Sequence, residues 1–526
     1  MAEDGSVMSA GQALESRTEQ SRNYVLRILE GLERDPERIA VHSWNGALTG
    51  AEFHASVAHA AALLAQTGIG PKDTVAVLTE PNCAAMLAAR YAVHLRGAAV
   101  VHIRSMNARS DADELPADEQ TRLLHATGAR VLMVDEPNHE RGHVLSRGAG
   151  GPTLLTLPAK ISPNDATNLP AAVPFEPQDL AVVDLTSGTT GTPKLVCRSF
   201  EARGRLIDLS FGAAAPGHRP MLLSVTPISH ATATMVDAAL VAGGTVVLHN
   251  GFQVQDVLQA LAEQHVTDVY LAVPHLYRLI DQPGIDEARF PALRQVLYSG
   301  TAAAPSRIAR AARVFGATLV QLYGSTEAGG MCTLTPPDHA EPELLSSVGR
   351  PFPWVETQIR RIGSDERVPR GETGEICVRS PTLMDGYLGE EEHGSPVIRD
   401  GWLRTGDIGH WDKYGYLHLL GRIGSIVKAN GIKIHPSSVQ DVLLRHPKVA
   451  NAVVHGIRDA ESVEQLEAAV QLHAGAGCSV DELRTHITAA LSAAHVPGRF
   501  SWWEEIPLNS SGKPDYALLR GRKDAQ

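Results

Sequence analysis

Cysteine is scarce, at five in 526 residues. Cys83, Cys197, Cys332, Cys377 and Cys478 are scattered, odd in number and never in a C-x-x-C pair. That argues against a disulfide framework and against a zinc site, and predicts small buried hydrophobes in a reducing compartment. A basic excess is also lacking. Lys and Arg number 47 against 59 Asp and Glu, a formal net charge of -12, so nucleic acid is not an expected partner. Long apolar runs are missing too: the stretch from Val57 to Ala65 is broken by His59 and is far too short to span a bilayer. The first 22 residues are polar and acidic, with no basic stretch leading into an apolar one, so no signal peptide is expected. The expectation is a cytoplasmic protein without a membrane span. No solenoid-period repeat and no low-complexity tract interrupts the chain.

What is present is ordinary for a globular protein, 43% hydrophobic and 20% charged, and the length calls for two to four domains. An amphipathic helix is predicted over 20–32. Helix-like and strand-like segments then alternate: a helix over 51–68 stopped by Gly68, a strand over 73–79, a helix over 82–97, a strand over 98–103, and a helix–strand pair over 121–135. This alternation predicts an α/β fold with a largely parallel sheet. A Pro-, Gly- and Ala-rich connector follows over 149–176, and a second alternating block runs from Leu180 to about Thr335. Beyond Gly349, short strands between Gly and Pro turns predict a smaller all-β unit. A further α/β stretch follows Gly421.

The strand ending at Thr186 leads into Ser187-Gly188-Thr189-Thr190-Gly191-Thr192-Pro193-Lys194. Glycines let a loop aim several backbone N–H groups at an anion, hydroxyls add donors and lysine adds charge. The segment lacks the G-K-[ST] ending of a Walker loop, and Pro193 would obstruct the helix start expected there. It is instead very similar to the phosphate loop of the ANL adenylating superfamily, which includes acyl-CoA synthetases, adenylation domains and luciferases. Further motifs resemble that family in the right order, so the resemblance covers the chain from Ala51 to Arg520.

The resemblance implies ATP, Mg²⁺ and a carboxylic acid as reactants, with loss of pyrophosphate and no protein nucleophile. Tyr323-Gly324-Ser325-Thr326-Glu327 matches the motif in which a Tyr ring faces adenine, Thr326 meets the α-phosphate and Glu327 is the Mg²⁺ ligand. Ser299-Gly300-Thr301-Ala302 resembles the adenine-contacting turn. Asp407, in Arg404-Thr405-Gly406-Asp407, would accept the ribose hydroxyls, with Arg422 beside the ribose or phosphate. Lys513 matches the family's mobile catalytic lysine, stabilising charge that builds on the α-phosphate oxygens. His230 matches a residue that lines and gates the acid pocket. Ala231 stands where amino-acid-activating relatives carry an Asp, which disfavours an ammonium-bearing substrate. Val236, Tyr298, Ser299, Gly324, Gly329, Gly330 and Met331 are the other expected walls, several of them small. A wide pocket for a bulky apolar acid is therefore expected.

The fold implied is α/β. A large AMP-binding domain, residues 1–422, has two α/β subdomains and a small β-barrel-like subdomain. A small mobile α+β domain, residues 423–526, carries Lys513. Family members that form thioesters rotate that domain about a G-R-x-D or G-R-x-K pivot. Here the pivot reads Gly421-Arg422-Ile423-Gly424, so adenylation is better supported than transfer to coenzyme A. The expected function is still adenylation followed by thioester formation with coenzyme A as acceptor. The alternatives are a ligase that passes the acyl group to a separate partner or carrier protein, and a non-catalytic acyl- or nucleotide-binding relative. Retention of Glu327, Asp407, Arg422 and Lys513 speaks against the last.

Overall fold

The computed structural model describes residues 24–106, 114–148, 150–165, 167–186, 194–210, 218–301, 303–389, 397–429, 432–458, 464–473, 475–507 and 514–521. They form two compact units. One falls within Met1–Tyr270, Phe290–Arg294 and Pro381–Pro396; the other within Leu271–Arg289, Gln295–Ser380 and Val397–Gln526. Arg422 and Ile423 therefore lie in the same unit.

The first unit holds a seven-stranded sheet. Its order is Gly386–Tyr387, Lys194–Ser199, Leu180–Thr186, Ala99–His102, Thr74–Leu78, Ala129–Asp135 and Thr153–Leu157. The pairings from Leu180–Thr186 to Thr153–Leu157 are parallel, as the alternating pattern predicts. The last of these strands lies in what the sequence presents as a connector. Each of its residues pairs in register with Val131 to Asp135, but only Leu157 is buried, so its apolar signal is weak. Strands Met221–Ser224, Thr245–Leu248 and Ile39–Ser43 build a second parallel set, closed by the hairpin strand Gly46–Thr49.

Helix Gly50–Gln66 starts at a capping box: Thr49 Oγ1 accepts from Glu52 N, and Glu52 Oε2 accepts from Thr49 N. Helix Ala84–Leu95 is buried on nearly every side, the usual signature of a helix inside a core. It carries Arg90 into that core, at 1% exposure.

The second unit contains strands in the order Arg350–Pro351, Gly329–Leu334, Leu319–Ser325 and Gln295–Ser299. A five-stranded sheet is built from Glu356–Arg360, Gly374–Arg379, Trp402–Trp411, Ile398–Arg399 and Leu417–Arg422. Beyond it lie the hairpin Val427–Ala429/Ile432–Ile434 and a three-stranded sheet, Val449–Arg458, Glu464–Leu472 and Arg499–Trp502. Val427, Ile434, Val439, Leu443, Leu466 and Phe500 share one apolar cluster, which also includes Ala304. Among the described residues no helix is long and apolar enough to cross a membrane.

Candidate active site

In the second unit, strand Leu319–Ser325 turns through Thr326, Glu327 and Ala328 into strand Gly329–Leu334. The pair shifts register between Tyr323 and Gly324, and Gly324 then faces Gly330. A Cβ on Gly324 would lie 2.3 Å from the Gly329 carbonyl oxygen, so only glycine fits this crossing. The Tyr323-to-Glu327 motif is thus a tight hairpin end with Thr326 exposed and Glu327 half-buried.

Tyr323 Oη donates to Asp407 Oδ2 at 2.7 Å, and Arg422 Nε donates to Asp407 Oδ1 at 2.9 Å. Burial, reinforced by the Asp407 carboxylate, pushes the Tyr323 phenol well above its ordinary value, so it remains a donor. Asp407 comes from strand Trp402–Trp411 rather than a free turn; Gly406, at φ 71°, re-aims the chain just before it. Thr405 Oγ1 accepts from Asp407 N and donates to Ile376 O. The sequence motifs at 323, 407 and 422 therefore converge on one carboxylate. Its position is fixed, and each oxygen retains lone-pair capacity for further donors.

Gly300, at φ 101°, forms the turn after strand Gln295–Ser299, with Thr301 half-buried beyond it. Tyr298 and Met331 are fully buried. The Tyr298 hydroxyl is engaged by Gln321 Oε1 at 3.2 Å and His339 Nε2 at 3.0 Å, so this side chain is anchored in the core. A Cβ on Gly330 would meet Phe352 at 3.1 Å, and Phe352 stacks on Trp354. The small residue at 330 makes room for that aromatic pair. Ser299 and Gly329 are half-buried.

In the first unit, Thr186 and Lys194 are partners across an antiparallel pair. The phosphate loop is therefore carried by a β-hairpin, not by a strand–helix junction of Walker type. Lys194 Nζ lies 4.8 Å above the Tyr387 ring. Ser187, Gly188, Thr189, Thr190, Ala302 and Lys513 lie outside the described residues.

The segment leading to His230 is braced from below. Asn82 Nδ2 donates to Thr226 O, Asn82 Oδ1 accepts from Ile228 N, and Arg90 Nη1 donates to Ile228 O at 2.7 Å. Arg90 and Arg203 both bind the Asp237 carboxylate, and Tyr91 Oη donates to it at 2.8 Å. Burial works to raise the Asp237 pKa, but the two guanidiniums outweigh it and hold the carboxyl below its usual range. The His230 ring is hydrogen-bonded to the Ser105 backbone, and burial holds its pKa down. Val236 is fully buried one residue before Asp237, and Ala231 is exposed. Asn82, Arg90 and Asp237 carry no family motif. The sequence signal was a charge within each of two otherwise apolar helices, Ala84–Leu95 and Thr232–Val241.

Among the described residues, His446, Cys478 and Glu482 bring ligand-type atoms within 4.8 Å of one another. Lys448 Nζ already pairs with Glu482 at 2.9 Å, and Lys448 N donates to His446 Nδ1 at 3.3 Å. That bond leaves the proton on Nε2, the wrong tautomer for a metal there. The group is satisfied as an ion-pair cluster.

Residues 29–388 match the model of the AMP-binding enzyme family, and residues 438–513 match the AMP-binding enzyme C-terminal domain. The chain belongs to this family, the ANL adenylating superfamily. It is 32% identical to a feruloyl-CoA synthase of Amycolatopsis sp., over 92% of this chain and 95% of the relative. It is also 32% identical to the medium/long-chain-fatty-acid–CoA ligase FadD8 of Mycobacterium tuberculosis, over 67% of this chain and 64% of that protein's length. Among solved structures, the amide bond synthetase McbA of Marinactinospora thermotolerans matches with a TM-score of 0.83 and 34% identity, covering 95% of this chain and 99% of that one. The O-succinylbenzoate coenzyme A synthetase MenE of Bacillus subtilis, solved with ATP and magnesium ion, matches with a TM-score of 0.77 and 26% identity over 95% and 99%. The mixed α/β fold, with a large N-terminal and a small C-terminal domain, is that of these adenylating enzymes.

Proposed function

We propose that this ATP-dependent acid ligase adenylates a bulky carboxylic acid, releases pyrophosphate and passes the acyl group on, with coenzyme A as the acceptor. The observation that carries the nucleotide half is the convergence of Tyr323 and Arg422 on Asp407. Asp407 would accept the ribose hydroxyls from a fixed position, since Tyr323 and Arg422 hold its orientation before nucleotide arrives. The hairpin tip between Thr186 and Lys194 would give N–H and hydroxyl donors to the phosphates. Lys513 would place its ammonium where charge builds on the α-phosphate.

Glu327, half-buried and next to Thr326 in the chain, supplies the hard oxygen chemistry that suits Mg²⁺. When bound, that ion would offset phosphate charge. His230 and Val236 belong to the wall that excludes water from the acid. Residues 1–422 and 423–526 act as the fixed and mobile parts in this reading.

A second reading is favoured by Gly424, which stands where thioester-forming relatives carry Asp or Lys. In that reading the acyl-AMP goes to an acceptor other than coenzyme A, either a carrier protein or an amine. Acid-dependent pyrophosphate release tests the first half-reaction. Consumption of coenzyme A, against amide formation with added amine, separates the two readings. Absence of pyrophosphate release with every acid tried would sink both.

A further inference from the structure

Four buried polar atoms on two neighbouring stretches of the first unit have no partner among the described residues: both ring nitrogens of His102, Nε2 of His230 and Oγ of Ser229. Buried polar atoms are nearly always hydrogen-bonded, so four orphans together are unusual. His102 ends strand Ala99–His102 and is 6% exposed. The two stretches are tied together, since the backbone of Ser105, three residues beyond His102, holds the His230 ring. A backbone carbonyl can only accept, so the bonded ring nitrogen carries the proton and Nε2 presents a lone pair. His102 is held neutral by burial first, and then by Arg90, His230, Arg203 and His94. A neutral imidazole offers one donor and one acceptor. These side chains thus offer an acceptor at His230, a donor–acceptor pair at His102 and a hydroxyl at Ser229.

An ionised carboxylate has no donor to give to His230 Nε2. The complement must come from the body of the acid. We propose that His102, Ser229 and His230 form a polar wall of the acid pocket that selects carboxylic acids bearing an N–H or O–H donor on their ring system. This rests on the adenylating function proposed above and narrows it. The expected bulky apolar acid becomes a bulky acid with one polar edge, and His102 becomes a specificity residue that no motif marks.

The test uses the full-length protein and acid-dependent pyrophosphate release with matched acids. Indole-2-carboxylate is set against benzofuran-2-carboxylate, and a hydroxycinnamate against its methoxy counterpart. The donor-bearing member of each pair should be favoured by roughly tenfold or more in kcat/KM, since a site built to hydrogen-bond rejects analogues lacking the group. His102→Leu should collapse that preference, whereas Lys513→Ala should slow both members without changing their ratio. In thermal unfolding His102→Leu should be at least as stable as the native protein, because its ring nitrogens lose no partner. Equal turnover of matched acids overturns the wall but leaves adenylation standing. A strongly destabilised His102→Leu also overturns it, by revealing a structural role for the ring. No release with any acid removes the adenylating function and this inference together.

Discussion

Asp407 and Arg422 face each other in register across an antiparallel strand pair, with Arg422 Nε 2.9 Å from Asp407 Oδ1. The pair ties the Asp407 carboxylate to Arg422, which leads into the Ile423–Ser425 turn. Because Tyr323 holds the other oxygen, the carboxylate cannot rotate without breaking a bond. Asp407→Asn should raise KM for ATP by roughly tenfold or more, the equivalent of a charged hydrogen bond of about 1.5–3 kcal/mol. Tyr323→Phe keeps the ring and removes only the hydroxyl, so its effect should be smaller, about fivefold. Pyrophosphate-release kinetics against ATP concentration read both. A Tyr323→Phe defect larger than that of Asp407→Asn would contradict this ordering.

The Asp237 carboxylate is wholly buried between Arg90 and Arg203. Asp237→Ala strands two guanidiniums in a core and should destabilise the protein by about 3–5 kcal/mol. Urea unfolding measures this. Glu356→Ala breaks the exposed pair with Arg379 and should leave the urea midpoint unchanged within error. Equal midpoints for the two variants would show that the Asp237 cluster has no special weight.

Acid should weaken the fold well above the carboxylate range. His94 is held down to about 3 and His455 to about 4, both chiefly by burial. Each imidazole is neutral when folded but takes up a proton near 6.5 when unfolded. Its contribution is complete above about pH 6.5 and is lost as pH falls through the window down to those folded values. The slope should reach about 1.4 kcal/mol per pH unit for each such imidazole. Urea midpoints between pH 7 and 5 should therefore fall, and His94→Gln should flatten the slope. A flat native profile over this range would rule out the account.

Among the described residues nothing lies within 4 Å of the position a Cβ on Gly424 would take, so Gly424→Asp should fold normally. If a pivot side chain favours the thioester pose, a bias of ~1.4 kcal/mol changes the population ratio tenfold. Gly424→Asp should then speed single-turnover transfer from preformed acyl-AMP to coenzyme A and leave adenylation unchanged. Lys513→Ala should instead lower adenylation, on the order of 10²–10³ or more. Native transfer as fast as native adenylation would show that Gly424 limits nothing.

The sequence makes the parallel sheet legible because its strands alternate with amphipathic or buried helices. Strand Thr153–Leu157 is hidden because an edge strand with one buried residue has little apolar signal. Strand Trp402–Trp411 escapes for another reason: Thr405, Gly406 and Asp407 look like a turn, and Gly406 does bend the chain, at a bulge where the pairing with Gly374–Arg379 jumps from Ile408 to Arg404. The residues expected at the nucleotide stand in motifs, and the structure brings three of them, Tyr323, Asp407 and Arg422, together. Asn82, Arg90 and Asp237 stand in none, because their partners come from distant segments. A charge inside an apolar helix says that a partner exists, but not which one.

Ala304 lies just beyond the Gly300 turn, yet it packs in the apolar cluster of the C-terminal residues with Val427, Ile434 and Val439. Ser437 Oγ donates to Leu420 O nearby, and Ser306 Oγ reaches Leu444 O at 3.5 Å. A swing of the C-terminal residues about the 421–425 turn would uncover that methyl and part those two hydrogen bonds. One methyl contributes about 0.8 kcal/mol, and each hydrogen bond about 1 kcal/mol net. In the proposed swing such a tie would work as a detent: strong enough to define a resting position, weak enough to be released on every turnover. Ala304→Gly should loosen it and speed opening, read as earlier amide exchange at Val427 and Ile434; unchanged exchange there would show that the methyl holds nothing in place.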